Sequence, residues 1–284
     1  MRYLTLIYCA ARSCALQLAA CALIAVSGPA FAQEDSLHIK EGLAALDAQN
    51  FEAALEAFQD AFDEGNPDGA FYLGRMLELG IGGGANLQAA VGLYRAASDL
   101  GSAPAKNRLG VLSIQGNGVL QNYVEGAALV CAAAELGDVN GAFNCGTVLL
   151  EGRGIGQDEV KAYAWFGVAA NLGHVAGMNA LAAGLIEGKY LARDVAAGVA
   201  LLERSGARGD PAGLFALGQI QMSGVAGEPD LIEAHKNFNV AVALGHPEAA
   251  AARASVEVGM SAEEITLAQK RAKAWRPAEA QRNE

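Results

Sequence analysis

Glycine returns every 36 residues at three separate points of this 284-residue chain. The series Gly80, Gly116, Gly152, Gly188, Gly224 is unbroken, and so is Gly101, Gly137, Gly173, Gly209, Gly245. A third ladder reads Gly74, Gly110, Gly146, Ala182, Gly218. Residues that terminate helices or let them approach closely, recurring at one fixed period, define an array of helical hairpins. The expected fold class is all-α, and an array of this kind points to binding rather than to chemistry.

The first 32 residues have the pattern of an export signal: Arg2 and Arg12, an apolar stretch from Cys14 to Val26, Gly28-Pro29, then Ala30-Phe31-Ala32. Cleavage after Ala32 is the expected processing. Two alternatives stay open: lipidation at Cys21 after Leu18-Ala19-Ala20, and an uncleaved membrane anchor. Removing residues 1–32 leaves 252 residues and takes away two arginines, moving the formal net charge from −11 to −13. So acidic a body argues against nucleic acid and anionic lipid as partners. A periplasmic or secreted protein is expected. Of five cysteines only Cys131 and Cys145 would remain, and two in an oxidising compartment suggest one disulfide.

The repeat divides into five units, 69–104, 105–140, 141–176, 177–212 and 213–248, each read as two short helices. Helix A is expected to start at Gly69, Ala105, Gly141, Gly177 and Gly213 and to stop at the Gly80-type turn, where a left-handed residue is needed. Asp158, Asp194 and Asp230 then stand in register as N-caps or first-turn acids of helix B. That helix carries an apolar stripe, Ala162, Trp165, Phe166 and Ala169 in the third unit, and ends at the Gly101-type position. Residues 33–68 form a divergent first hairpin, with Phe51, Ala54, Leu55, Phe58 and Phe62 on one helical face. Residues 249–277 are expected to be capping helices, the second opened by a capping box at Ser261-Ala262-Glu263-Glu264, and 278–284 a disordered tail.

The unit resembles the Sel-1-like repeat, a relative of the tetratricopeptide repeat. The third unit carries the pattern most fully, in Gly141, Cys145-Gly146, Gly152-x-Gly154, Asp158, Ala162, Trp165, Ala169-Ala170 and Gly173. Tyr190 and Ala226 replace the second turn glycine, and Asn237 the aromatic, which leaves the loops of the fourth and fifth units open. The resemblance implies a right-handed α-solenoid used as an interaction scaffold. It also implies that exported bacterial members act in envelope signalling, surface polysaccharide control or secretion.

Cys131 on helix B of one unit and Cys145 on helix A of the next can face each other across the Gly137 turn; a disulfide and two buried thiols are the two readings. A second ladder on helix A reads Phe71, Asn107, Phe143, Asn179, Phe215. It lies about 200° around the helix from the small residue, so it is expected to face away from the partner helix B. Ile114, Leu150, Ile186 and Met222 continue that side. If helix A lines the concave surface, these nine residues form a partly apolar groove for a peptide or partner protein. If not, they only pack against neighbouring A helices.

Chemistry finds little support. Gly80-Ile81-Gly82-Gly83-Gly84 follows no strand, so it is a repeat turn rather than a phosphate cradle. His174 and His246 stand 72 residues apart and are expected to be solvated loop residues; His38 and His235 lack a second ligand at helical spacing. No nucleophile motif is present. No enzyme, cofactor or metal is expected. The partner expected is a protein or peptide, such as the periplasmic domain of a membrane protein, and a β-lactam- or peptidoglycan-related binder or hydrolase is the alternative.

Overall fold

The structure is a computed structural model that describes residues 37–278. The signal-type segment 1–32, Cys21 with it, and the tail residues 279–284 lie outside the described residues. Among the described residues there are fourteen α-helices and no strand. The first hairpin is α1 (Leu37–Asp47) and α2 (Phe51–Asp63). Five hairpins in repeat follow: α3 (Pro67–Leu79) with α4 (Leu87–Asp99), α5 (Ala103–Gln115) with α6 (Tyr123–Glu135), and α7 (Val139–Glu151) with α8 (Glu159–Asn171). The set is completed by α9 (Val175–Glu187) with α10 (Val195–Ala207) and α11 (Pro211–Ser223) with α12 (Leu231–Ala243). The chain closes on α13 (Ala249–Glu257) and α14 (Ala262–Ala274). Each A helix packs on its own B helix and each B helix on the next A helix, while α3 also touches α5 and α5 touches α7. This is the stacking of an α-solenoid.

The A helices begin two residues before the small position that was expected to open them. The reason is capping. Ser102, Asp138, His174 and Asp210 sit one residue ahead of their helices, and their side chains accept the backbone N–H of Ala105, Gly141, Gly177 and Gly213. The small residue is therefore the third helical residue, whose amide the cap satisfies. On the B helices, Asp158, Asp194 and Asp230 are N-caps, accepting from Lys161, Ala197 and Glu233 at 2.9–3.0 Å. Each A helix stops at its turn glycine in the left-handed region, φ 67–71°, where an L side chain is strained.

The fourth unit manages its loop without the second turn glycine. Tyr190 has no left-handed φ and lays its ring on Tyr163 at 6.1 Å. In the fifth unit Gly227, one residue after Ala226, takes a positive φ of 155°.

Packing between the two helices of a hairpin alternates with a period of two units. Phe71, Phe143 and Phe215 meet Tyr94, Phe166 and Phe238 on their own B helices at 5.6–5.9 Å between ring centroids. In the units between, Asn107 and Asn179 stand where the aromatics stand, and the B helices carry Val130 and Leu202 in register. Tyr94, Phe58 and Phe238 are fully buried, each such side chain contributing up to about 3 kcal/mol.

At the far end the capping box is present in both halves: Ser261 accepts from Glu264 N–H, and the Glu264 carboxylate accepts from Ser261 N–H at 2.8 Å. α14 packs on α12. Trp275 then turns onto the cluster of Leu214, Val240, Ala241 and Ala249, and Ala278 N–H donates to Ala207 O at 2.6 Å. Ala278, assigned to the tail by sequence, is thus tied to the end of α10.

Candidate partner-binding groove

The nine ladder residues do not share one surface. Phe71, Phe143 and Phe215 turn toward helix B of their own hairpin, not away from it. The small residues explain why: a side chain at Gly69 would meet Phe58 and Phe62 of α2, and one at Gly141 or Gly177 would meet the alanines ending α6 or α8. The small position thus faces the preceding B helix, so a residue 200° around faces the hairpin's own B helix. Asn107 is buried and accepts from Asn144 Nδ2 at 2.7 Å. Leu150 packs against the core cluster around Cys145 and Phe166. These five are interior or half-interior residues.

The other four line grooves between successive A helices. Asn179, Ile186 and Met222 come together between α9 and α11 in an open groove of about 490 Å³, with Ala183, Ala212, Ala216, Ile220 and Val225 as its apolar walls. Asn179, Gln219 and Ser223 are its neutral polar members and Glu187 its one charged one. Ile114 lines a smaller groove of about 170 Å³ between α5 and α7 with Val111, Asn144 and Thr147. Ala212 and Val225 were not singled out by sequence, nor was Ala216. A signal was present: the register 72, 108, 144, 180, 216 reads Tyr, Arg, Asn, Ala, Ala, and shrinking side chains open space between A helices.

Asn179 is held by Asp210, whose Oδ2 accepts its Nδ2 at 2.7 Å together with Ser205 Oγ at 2.8 Å and Gly213 N at 2.7 Å. At the other end of the array Glu78 joins α3, α4 and α5. Its carboxylate accepts from Tyr94 Oη at 2.6 Å, from Arg75 Nη1 at 3.0 Å and from Arg108 through both oxygens. Burial alone would raise the Glu78 pKa, but the hydrogen bonds from Arg108 and Tyr94 outweigh it and hold the group below the ordinary carboxylate value. Burial and that same carboxylate push the Tyr94 hydroxyl well above its usual value.

The two turn histidines are structural rather than merely solvated. His174 stacks on Phe143 at 4.7 Å and His246 on Phe215 at 4.1 Å. His174 Nδ1 caps α9 by accepting from Gly177 N–H at 3.1 Å, which requires that nitrogen to be unprotonated. Burial lowers its pKa below 6.5. The unfolded chain therefore takes up the proton first as pH falls, so this stabilisation is complete above 6.5 and is lost as pH falls through the folded-state value. A melting series from neutral pH to about pH 5 should fall more steeply for the native chain than for His174→Asp, by at most about 1 kcal/mol, the worth of one N-cap. Parallel curves would remove His174 from the acid response.

Cys131 on α6 and Cys145 on α7 are joined, with S–S 2.03 Å and Cα–Cα 4.7 Å. No group of three metal-ligating side chains gathers among the described residues, and none of the described helices is long and apolar enough to cross a membrane.

Stacked hairpins of one length, capped and turned alike, define a helical-repeat solenoid. The chain belongs to the Sel1 repeat family, which matches residues 67–102, 103–138, 139–174, 175–210 and 211–246. Two solved structures share the fold. A protective antigen of uropathogenic Escherichia coli displaying an SLR fold is 24% identical over 79% of this chain, with TM-score 0.72; the match spans about half (48%) of that protein. A Sel1 repeat protein from Oxalobacter formigenes is 20% identical over 83% of this chain and 96% of its own, with TM-score 0.70. No curated protein matches the chain in sequence. Sel1-repeat proteins are in general non-catalytic scaffolds for protein interactions.

Proposed function

We propose that this chain is an exported, non-catalytic adaptor of the bacterial cell envelope that holds an apolar stretch of a partner protein between α9 and α11. The observation that carries the reading is the groove itself: an apolar channel of about 490 Å³ on a repeat scaffold, walled by Ile186, Ile220, Met222 and Val225 over a floor of alanines. That is the lining expected for side chains of a docked segment. Met222 and Val225 stand well exposed in the free chain, where covering them would be favourable. The Cys131–Cys145 bond supports export, because such bonds persist in oxidising compartments.

The test is capture from a native envelope fraction by the purified chain. The intact protein should retain a specific partner, Ile186→Glu/Met222→Glu should lose it at least tenfold, and Val160→Glu, an exposed site on α8 away from the groove, should not. Circular dichroism should be unchanged in both variants. Retention by the groove variant would overturn the proposal, and so would acylation of the chain by a labelled penicillin.

A further inference from the structure

The A helices repeat one stripe through three registers: 75, 111, 147, 183, 219; then 78, 114, 150, 186, 222; and 108, 144, 180, 216. In the fourth and fifth repeat units the stripe lines the large groove through Ala183, Ile186, Ala216, Gln219 and Met222. In the second and third it lines the small one through Val111, Ile114, Asn144 and Thr147. At the α3–α5 end the same registers hold Arg75, Glu78 and Arg108. The stripe therefore changes along its length from charged, through amide and hydroxyl, to apolar.

The charged end has more positive charge than its own contacts require. Glu78 is 10% exposed, and Arg108 meets both of its oxygens, so one guanidinium already neutralises it. Arg75 is a second guanidinium on the same carboxylate; it engages Glu78 through Nη1 and is 36% exposed, which leaves donors for another acceptor. Two arginines and one carboxylate make a net positive site in a chain whose formal charge is −11. An anionic group of a partner is favoured there and disfavoured over most of the remaining surface.

We infer that Arg75 and Arg108 seat an aspartate or glutamate side chain of the bound segment while its apolar residues lie between α9 and α11. The inference rests on the groove reading and adds to it the partner's polarity, acidic at one end and apolar at the other. With neighbouring A helices about 10 Å apart, the two ends are separated by about 35 Å, or about ten residues of extended chain.

Random peptides of about sixteen residues, displayed on phage, test this on the intact protein, on Arg75→Ala and on Ile186→Glu/Met222→Glu. Arg75→Ala keeps Glu78 paired with Arg108, and circular dichroism checks its fold. Peptides enriched on the intact protein should carry Asp or Glu about ten residues from an apolar cluster. A synthetic consensus peptide should bind about tenfold more weakly to Arg75→Ala and should weaken as salt rises from about 50 to about 500 mM. Replacing its acidic residue by alanine should cost as much against the intact protein and nothing further against Arg75→Ala. Enriched peptides without an acidic residue, or with affinity indifferent to Arg75, would overturn the carboxylate seat and leave the groove standing. No enrichment, or enrichment undiminished on the groove variant, would overturn both.

Discussion

Gly154→Ala should lower stability by about 3 kcal/mol, a sum of left-handed backbone strain and steric overlap. Gly154 has φ +77°, and a methyl group there would overlap the carbonyl of Tyr123 at the start of α6. The obstacle is backbone, which cannot rotate away as a side chain would. The loop of the third unit is thus seated on the helix of the second, and the variant should pry the two apart. Hydrogen exchange should rise first at α6 and α7, and the thermal transition should broaden as the array loses coupling between neighbours. Gly156, two residues on, has an ordinary φ and open space around it. Gly156→Ala should therefore stay within about 0.5 kcal/mol of the native chain. Equal effects at the two sites would refute the seating of this loop.

Loss of the Cys131–Cys145 bond is the second large effect. It closes a sequence separation of 14, and releasing a loop of that size costs about 3 kcal/mol. Cys131→Ser/Cys145→Ala should melt correspondingly lower and expose the α6–α7 junction to exchange. Reductant should bring the native chain to the same state and leave the double variant unchanged. Thiol counting under denaturing conditions supplies the direct measurement: no free thiol from these two cysteines before reductant and two after. A chain that retains residues 1–32 would add Cys9, Cys14 and Cys21 to that count. Free thiols at 131 and 145 in the untreated protein would remove the bond from the fold.

The hairpin array was legible because its punctuation is local. A left-handed glycine after helix A and an aspartate before helix B act through their own backbone, so the 36-residue register exposes them without any knowledge of packing. The caps of the A helices are just as local but chemically mixed, serine, aspartate and histidine in one register, so no single residue type marks them in the sequence. Direction around the helix was harder. The Phe71 ladder was misdirected because a small residue shows that some helix comes close, and not which one. Gly141 is narrow for α6, the helix before it, and that single fact sends Phe143 inward. Of the predicted groove, Asn179, Ile186 and Met222 come together because the alanines at 183, 212 and 216 leave room between α9 and α11. The fold of α14 and Trp275 onto α12 has no repeated counterpart from which a register could be read.

That terminal arrangement bears on how many molecules can join in line. In an open-ended stack, the exposed flank of the final hairpin is an invitation for the first hairpin of another copy, and a head-to-tail union of that kind never closes. Here α14 lies on α12, Trp275 packs on Leu214, Val240, Ala241 and Ala249, and the amide of Ala278 donates to the carbonyl of Ala207 at the end of α10. That flank is already covered by α14 and Trp275, so filament growth has no purchase there.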